Sequence, residues 1–436
     1  MRAFLVNSIS AALLVFVQAG NALAAPAETV LWSFTGPTED GANPTGALIA
    51  DTSGNLYGTS TYGGTLNYGT VFRLAPPASG QTAWTETVLY NFGSYAHDAA
   101  IPMGALIFDS AGNLYGTSYK GGTRNHGTVF RLTPPVSGSG AWTETVLYSF
   151  GSHTGDGINP EAALVADSAG NLYGTTYRGG AKNYGAAFEL TPPVSGNTNW
   201  TETVLWNFGV QTGDGRYPTS TLIQNASGAL YGTTQLGGPF NVGTVFQLAP
   251  PANLGSAWTE TVLHGFTGYS ASTPDGRDPL GGLVADATGV LYGTTQQGGT
   301  IKNSRSNAGT VYQLTPPPAQ TGGPWTEVIL YSFGAGNDGI TPRAGLLAGP
   351  AGSFYGTTRA GGGSNAGTVF QMTPPTTTTG TWTETVLYGF QDTFAPGSPD
   401  GGYPLAGVFA DQKGALYGTT QQGGPGNFGT VFKLTQ

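Results

Sequence analysis

Cysteine is absent from this chain of 436 residues. Its absence excludes disulfide bonds, thiolate metal sites and a cysteine nucleophile. Charged residues are also scarce at 9%, with 15 Lys and Arg against 24 Asp and Glu. So few basic residues disfavour nucleic-acid binding, which needs Lys and Arg clustered against phosphates. Together with 72 glycines, the low charge also argues against an all-α or Rossmann-type protein.

The first 24 residues have the pattern of a secretory signal peptide. Arg2 precedes an apolar run that includes residues 13–17, and the segment ends in Ala22-Leu23-Ala24. An uncleaved membrane anchor is the alternative, although polar residues interrupt the run. We therefore expect a signal peptide at 1–24, a single domain at 25–436, and a secreted or periplasmic monomer without membrane insertion after cleavage. The chain ends at Gln436 without a hydrophobic tail, so no C-terminal anchor is expected.

A tandem repeat occupies the rest of the chain. An L-Y-G-T-like core recurs seven times at spacings of 58 to 63 residues, with its tyrosine at Tyr57, Tyr115, Tyr173, Tyr231, Tyr292, Tyr355 and Tyr417. Each repeat contains four short β-prone segments separated by turn residues. Seven repeats with four strands each predict an all-β, seven-bladed β-propeller with four antiparallel strands per blade.

The two ends of the chain predict how the ring closes. The repeat region begins with a lone fourth strand at 28–34 and finishes after a third strand at 429–432. We expect the N-terminal strand to join the C-terminal blade, which leaves no open strand edge between the termini. The D-x-x-G segments are expected to form tight hairpins. The tryptophan that opens each following strand, such as Trp84, is expected to serve packing, with stacking on a ligand as the alternative.

The repeat resembles a known family. Residues 170–176 read G-N-L-Y-G-T-T and are followed by Gly179, Gly180 and Asn183. The unit is similar to the GloVer tandem repeat of exported bacterial "choice-of-anchor" proteins, and also to the repeat of regulator-type propellers. The resemblance implies an exported propeller-like protein and carries no catalytic residues. The family's frequent C-terminal sorting tail is missing here, so surface attachment is not expected.

Differences in loop length predict a binding face. The loops that enter the fifth and seventh blades, and the loop after Tyr292, are longer than their counterparts. All three are expected on one face of the disc. They supply the candidate ligand-binding residues Tyr269, Asp275, Arg277, Asp278, Lys302, Arg305, Asp392, Asp400 and Tyr403. Aromatic, carboxylate and guanidinium groups together suit a carbohydrate, whereas ordinary solvated loops would have the same composition.

Two motifs recur on the same face. D-G-x-x-P contains Asp40, Asp156, Asp214, Asp275, Asp338 and Asp400, and the second repeat departs from it at Asp98-Ala99. G-G-x-x-N-x-G contains Asn67, Asn125, Asn183, Asn241, Asn307, Asn365 and Asn427. A ring of carboxylates could bind calcium, but both motifs are also typical of turns. No other cofactor is expected.

The sequence leaves three functions open. A binding or scaffold module for a polysaccharide or a cell-surface partner is favoured, because the four histidines share no position and no catalytic motif is present. A polysaccharide hydrolase or lyase that uses carboxylates of the expanded loops is the second possibility. A purely structural interaction ring is the third.

Overall fold

Seven four-stranded antiparallel sheets make up a computed structural model of the protein. It describes residues 26–435 apart from 39, 137–139, 195–198, 254–255, 269–274, 301–306, 319–322, 378–379 and 392–399. Each sheet is one blade of a β-propeller, and its strands lie in chain order from the first, innermost strand to the outer strand. In the seventh blade the outer strand comes from the N-terminal end of the chain. The predicted fold class is therefore confirmed.

The first, third and outer strands have the same length in every blade, and the second strands have five or eight residues. The first strands are Ile49–Ala50, Ile107–Phe108, Val165–Ala166, Ile223–Gln224, Val284–Ala285, Leu347–Ala348 and Phe409–Ala410. The second strands are Leu56–Ser60, Leu114–Gly121, Leu172–Thr176, Leu230–Gly237, Leu291–Thr295, Phe354–Thr358 and Leu416–Thr420. The third strands are Thr70–Ala75, Thr128–Thr133, Ala186–Thr191, Thr244–Ala249, Thr310–Thr315, Thr368–Thr373 and Thr430–Thr435. The outer strands are Thr85–Asn91, Thr143–Ser149, Thr201–Asn207, Thr259–Gly265, Thr326–Ser332, Thr383–Gly389 and, for the seventh blade, Ala27–Ser33.

Short ladders extend the blades at one end. They pair Gly41–Ala42 with Tyr62–Gly63, Gly157–Ile158 with Arg178–Gly179, Gly276–Arg277 with Gln297–Gly298, Gly339–Ile340 with Ala360–Gly361, and Gly401–Gly402 with Gln422–Gly423. In the second and fourth blades the same pairing is continuous with the second strand, through Ala99–Pro102 and Gly215–Pro218. A single 3₁₀ turn, Pro350–Gly352, lies in the described part of the chain.

A ring of aromatic contacts forms the core between blades. The phenylalanine that ends each outer strand packs edge-to-face on the third-strand aromatic of the next blade, with ring centroids 5.0 to 5.2 Å apart. These side chains are almost completely buried. Edge-to-face pairs gain about 0.5–1.5 kcal/mol beyond the burial of their area. The apolar core is thus divided equally among seven interfaces.

The ring closes where the chain ends meet. Ala27–Ser33 pairs antiparallel with Thr430–Thr435, and Val30 lies opposite Phe432 in this ladder. Phe34 then packs on Phe72 of the first blade. The same interface holds the side chain of Val431 in one cluster with Leu48. The predicted closure by the N-terminal strand is therefore confirmed.

The hairpins on the other side of the disc have the expected structure. Asp51 accepts hydrogen bonds from the backbone N–H groups of Ser53 and Asn55, and from the hydroxyl of Tyr57 at 3.0 Å. These bonds make the aspartate a turn residue. Trp84 packs against Tyr417 of the neighbouring blade, with ring centroids 6.3 Å apart. Tryptophan at this position therefore joins blades.

The glycine of the L-Y-G-T core allows close packing within a blade. A Cβ atom on Gly174 would lie 2.6 Å from Cζ of Phe188 on the adjacent strand. Gly174→Ala is therefore expected to lower the free energy of unfolding by about 1–3 kcal/mol through overpacking. Gly363→Ala is the control, because a Cβ atom there meets nothing within 4 Å. Urea unfolding of both variants is the measurement, and equal stability of the two would contradict the packing argument.

Candidate functional site

The short ladders place two sets of loops on the same face of the disc. Each ladder joins the D-G-x-x-P segment before a first strand to the G-G segment after the second strand of the same blade. We call this side the loop face, and the opposite side, which carries the D-x-x-G hairpins, the hairpin face. The ladders at Gly276–Arg277 and Gly401–Gly402 place the described bases of the long loops on the loop face.

The recurring polar residues of the two loop motifs hold the turns together. In every blade the motif aspartate accepts a backbone N–H from the loop before it, as Asp98 does from Ser94 at 2.7 Å. In every blade the motif asparagine accepts the N–H of a glycine at the start of its loop, as Asn67 does from Gly63 at 2.9 Å. These hydrogen bonds support the turn interpretation of both motifs, and calcium stays a prediction.

A ring of residues with left-handed backbone surrounds the centre of the loop face. The residue before each motif proline has a φ of 53° to 60°; the seven are Asn43, Ile101, Asn159, Tyr217, Asp278, Thr341 and Tyr403. Such a backbone costs roughly 1–3 kcal/mol for a residue other than glycine. Each of these N–H groups donates to a carbonyl of the preceding blade, as Ile101 does to Tyr68 at 2.7 Å. The strained residue therefore connects adjacent blades.

The residues after the prolines line a central cavity of about 190 Å³, to which all seven blades contribute. The outermost ring of this lining consists of Thr45, Met103, Glu161, Thr219, Leu280, Arg343 and Leu405. Below it the wall is built from small residues. The two charged side chains of the ring, Glu161 and Arg343, belong to the third and sixth blades.

The charges of Glu161 and Arg343 interact across the mouth of the cavity. Burial raises the pKa of Glu161 to about 7, while the charges of Arg343 and Arg178 oppose the rise. Burial also lowers the pKa of Arg343, helped by the nearby charge of Arg359. With its amide assigned so that oxygen faces the guanidinium, Gln296 accepts from Nε and Nη2 of Arg343 at 3.1 and 3.2 Å. The mouth therefore holds a cation on one side and, on the opposite side, a carboxyl that titrates near neutral pH.

Tyrosines and arginines extend the mouth over the third and fourth blades. The Tyr217 ring lies 5.1 Å from that of Tyr177 and 5.5 Å from that of Tyr184, measured between centroids. Arg216 lies 4.5 Å from the centroid of Tyr184, and Arg178 lies 5.6 Å from that of Tyr177. Burial and Glu161 raise the pKa of Tyr177, so its hydroxyl stays protonated. Partly buried rings beside guanidinium groups are suited to stacking and hydrogen bonding with a polar ligand.

Basic residues are concentrated on the loop face although the protein is acidic. Eight of the twelve Lys and Arg in the described part of the chain lie there: Lys120, Arg124, Arg178, Lys182, Arg216, Arg277, Arg343 and Arg359. The hairpin face instead carries the aspartates Asp51, Asp109, Asp167, Asp286 and Asp411. The motif aspartates of the loop face are buried in their own turns, so its exposed charges are mainly basic, which favours binding of an anion at the mouth.

The predicted site residues are only partly brought to this mouth. Tyr269, Lys302, Arg305 and Asp392 lie outside the described residues. Asp275 and Asp400 are buried and accept hydrogen bonds from their own turns. Arg277 pairs with Asp278 at 3.5 Å between Nε and Oδ2, and Arg359 lies 5.5 Å from the centroid of the Tyr403 ring.

Sequence reasoning missed the residues at the centre of the site. Glu161 and Arg343 follow the motif proline, a position that holds five different residue types in the seven repeats. The sequence does contain one signal for this position, which is its variation among the repeats. A variable residue directly before a recurring first strand indicates a residue that lines the central cavity.

A second polar layer lies between the blades, away from the cavity. A glutamate of each T-E-x-V/I segment faces the loop aspartate at the same interface. Six of these Glu–Asp pairs are called the carboxyl pairs below. They are Glu28 with Asp400, Glu86 with Asp40, Glu144 with Asp98, Glu202 with Asp156, Glu260 with Asp214 and Glu327 with Asp275. At the seventh interface, burial and then the charges of Asp338 and Glu384 raise the pKa of Tyr331. Burial, followed by the neighbouring aspartate, raises the pKa of Glu86 and Glu260 to about 8.

Fold and site together define a seven-bladed β-propeller with a polar, loop-built mouth on one face. The chain belongs to the Gloeobacter/Verrucomicrobia repeat family, whose profile matches residues 21–167, 139–323 and 259–436. No curated protein sequence is significantly similar to it. In the described part of the chain, helices of the length and apolarity needed to cross a bilayer are absent.

Two solved structures are among those to which the chain is similar. The extracellular domain of BT4673 from B. thetaiotaomicron matches 92% of this chain at 13% identity and a TM-score of 0.48. The chain spans only 40% of that protein. A glucose dehydrogenase matches 94% of this chain over 99% of its own length, at 14% identity and a TM-score of 0.43.

Proposed function

We propose that this protein is an exported binding module that captures an acidic polysaccharide at the mouth of its central cavity. The observation that carries the proposal is the group formed by Arg343, Arg359 and Tyr403 opposite Glu161 and Tyr177. Guanidinium groups bind carboxylate or sulfate oxygens through paired N–H donors. The neighbouring tyrosine rings give a flat surface for sugar rings. The N-terminal signal-like segment supports a role outside the cytoplasm.

The binding test compares variants that remove positive charge from each of the two faces. Arg343→Gln combined with Arg359→Gln is expected to weaken binding of an acidic polysaccharide by roughly 10- to 100-fold, since a hydrogen bond to a charged group contributes about 1.5–3 kcal/mol. Lys413→Gln on the hairpin face is the control and should leave the affinity unchanged. Isothermal titration with alginate, pectate and neutral dextran is the measurement.

The outcomes of this titration separate the binding proposals. Binding of dextran equal to that of alginate and pectate would contradict a charge-selective mouth. Absence of binding to all three would favour the other possibilities, a cell-surface protein partner or a structural ring.

Glu161 supports a second candidate, a polysaccharide lyase or hydrolase. A carboxyl with a pKa of about 7 beside a guanidinium and a tyrosine can exchange a proton with a bound sugar at neutral pH. This moves the enzymatic possibility from the expanded loops to the cavity mouth. Incubation with the best-bound polysaccharide, followed by mass analysis of the products, distinguishes binding alone from turnover. Turnover that Glu161→Gln abolishes would establish the second candidate.

A further inference from the structure

Two of the six carboxyl pairs have a histidine beside them. His153 Nε2 lies 3.2 Å from Glu202 Oε2, and donor atoms of His153, Asp156 and Glu202 all lie within 4.8 Å of one another. At a different interface, His264, Asp275 and Glu327 satisfy the same limit. The two histidines reach equivalent pairs from different positions, since His153 belongs to a loop whereas His264 belongs to an outer strand.

The group around His153 has unused buried ligand atoms. The Glu202 side chain is 3% exposed and Asp156 is 4% exposed. Oδ2 of Asp156 accepts from Tyr148 and Ser152, but its Oδ1 has no hydrogen-bond partner, and neither does Oε1 of Glu202. Leaving a buried polar atom without a partner costs about 1–3 kcal/mol. His153 is half exposed and gives solvent ions access to this group.

We propose that His153, Asp156 and Glu202 bind a zinc ion, and that His264, Asp275 and Glu327 form a second site of the same type. Zinc takes imidazole nitrogen and carboxylate oxygen at about 2.0–2.2 Å, which places tetrahedral ligands about 3.3 Å apart. The separation of His153 from Glu202 is already close to this value. At the second site the unpartnered atoms are Nε2 of His264 and Oε1 of Glu327. The ion of the first site would use the unpartnered oxygens of Asp156 and Glu202 and complete its coordination with water. It would clamp the loop between the second and third blades to the third blade's outer strand, in a protein without disulfides.

The repeat supplies variants that the fold already accepts. Tyr95 occupies the place of His153 at the preceding interface, where its hydroxyl donates to Glu144. Tyr148 and Tyr388 stand at the outer-strand position of His264. His153→Tyr and His264→Tyr therefore remove each histidine with a side chain used elsewhere in the ring. Tyr95→His installs the missing imidazole beside Asp98 and Glu144.

The experiment counts zinc on chelator-treated full-length protein at pH 7.5, by isothermal titration and by metal analysis after dialysis. The protein is expected to bind about two zinc ions, each His→Tyr variant about one, and Tyr95→His about three. Zinc should also raise the thermal midpoint of the protein, whereas magnesium should not. His97→Ala, at an exposed loop histidine, is the control and should keep the wild-type stoichiometry.

Several results would overturn the zinc proposal. Absence of zinc binding to the wild-type protein would do so directly. An unchanged count in His153→Tyr would show that the ion lies elsewhere. Thermal unfolding of each variant without zinc shows whether it folds, and Tyr95→His provides a gain that misfolding cannot imitate.

Discussion

Deletion of residues 27–34 is expected to open the ring and to lower the free energy of unfolding by more than about 5 kcal/mol. Removal of a buried phenylalanine alone costs roughly 3–5 kcal/mol, and Phe34 is 1% exposed. The deletion also strips Thr430–Thr435 of its outer partner and leaves an unpaired strand edge. Since total stabilities are about 5–15 kcal/mol, we expect aggregation or a large fall in the thermal midpoint, measured by calorimetry and light scattering.

A circular permutant tests whether the protein needs the N-terminal strand itself or needs it at the N-terminal end of the chain. In this variant residues 26–35 follow Thr435 through a copy of the 76–84 loop, and the chain starts at Gly36. All seven outer strands then follow their third strands directly, and stability should return to that of the parent chain beginning at Ala25. A deletion variant as stable as the parent chain, or a permutant as unstable as the deletion, would contradict closure by this strand.

Raising the pH from 5 to 9 is expected to destabilise the protein through its carboxyl pairs. Burial raises the pKa of Glu28 and Glu144 to about 7 and of Glu86 and Glu260 to about 8, against 4.5 for the free side chain. An acid whose pKa is raised by folding contributes stability that is complete below 4.5 and is lost as the pH rises through 7 to 8. Each ionisation then places a second negative charge beside a buried aspartate. After allowance for solvent screening, we expect the thermal midpoint to fall by roughly 5–10 °C.

Neutral replacements test the source of this pH dependence. Glu86→Gln combined with Glu260→Gln keeps the shape of the side chains and cannot ionise. These two interfaces lack a histidine, and chelator in the buffer removes any effect of metal. The double variant is expected to melt above the wild type at pH 8.5 and close to it at pH 5. Lys413→Gln, an exposed charge change, should keep the wild-type profile. A double variant whose midpoint falls with pH as steeply as that of the wild type would refute this explanation.

The fold could be predicted because the residues that define it are repeated. The tyrosine of the L-Y-G-T core, its following glycine and the D-G turn recur in register, so one blade explains the others. Closure could also be predicted, because an unmatched outer strand at one end and a missing one at the other are visible in the sequence. Packing details such as Phe188 on Gly174 then follow from the strand pairing.

The site could not be predicted in the same way, because its chemistry lies at positions that do not repeat. Glu161 and Arg343 are far apart in sequence and line the same cavity only because the ring brings the third and sixth blades together there. The carboxyl pairs combine two recurring residues, yet the pairing of Asp156 with Glu202 depends on how one loop lies against the next outer strand. His153 and His264 share no motif position, so their equivalence emerges only in three dimensions.

At the seven left-handed residues around the mouth, the backbone bond to the preceding blade does not depend on the side chain. Their N–H groups keep the same bond to the preceding blade whether the side chain is asparagine, isoleucine, tyrosine, aspartate or threonine. Evolution can therefore change the side chains of this ring one residue at a time without changing the fold of the blades. Relatives with the same blades would then differ in ligand preference, and a designer could exchange Ile101, Thr341 or Tyr403 as independent recognition elements.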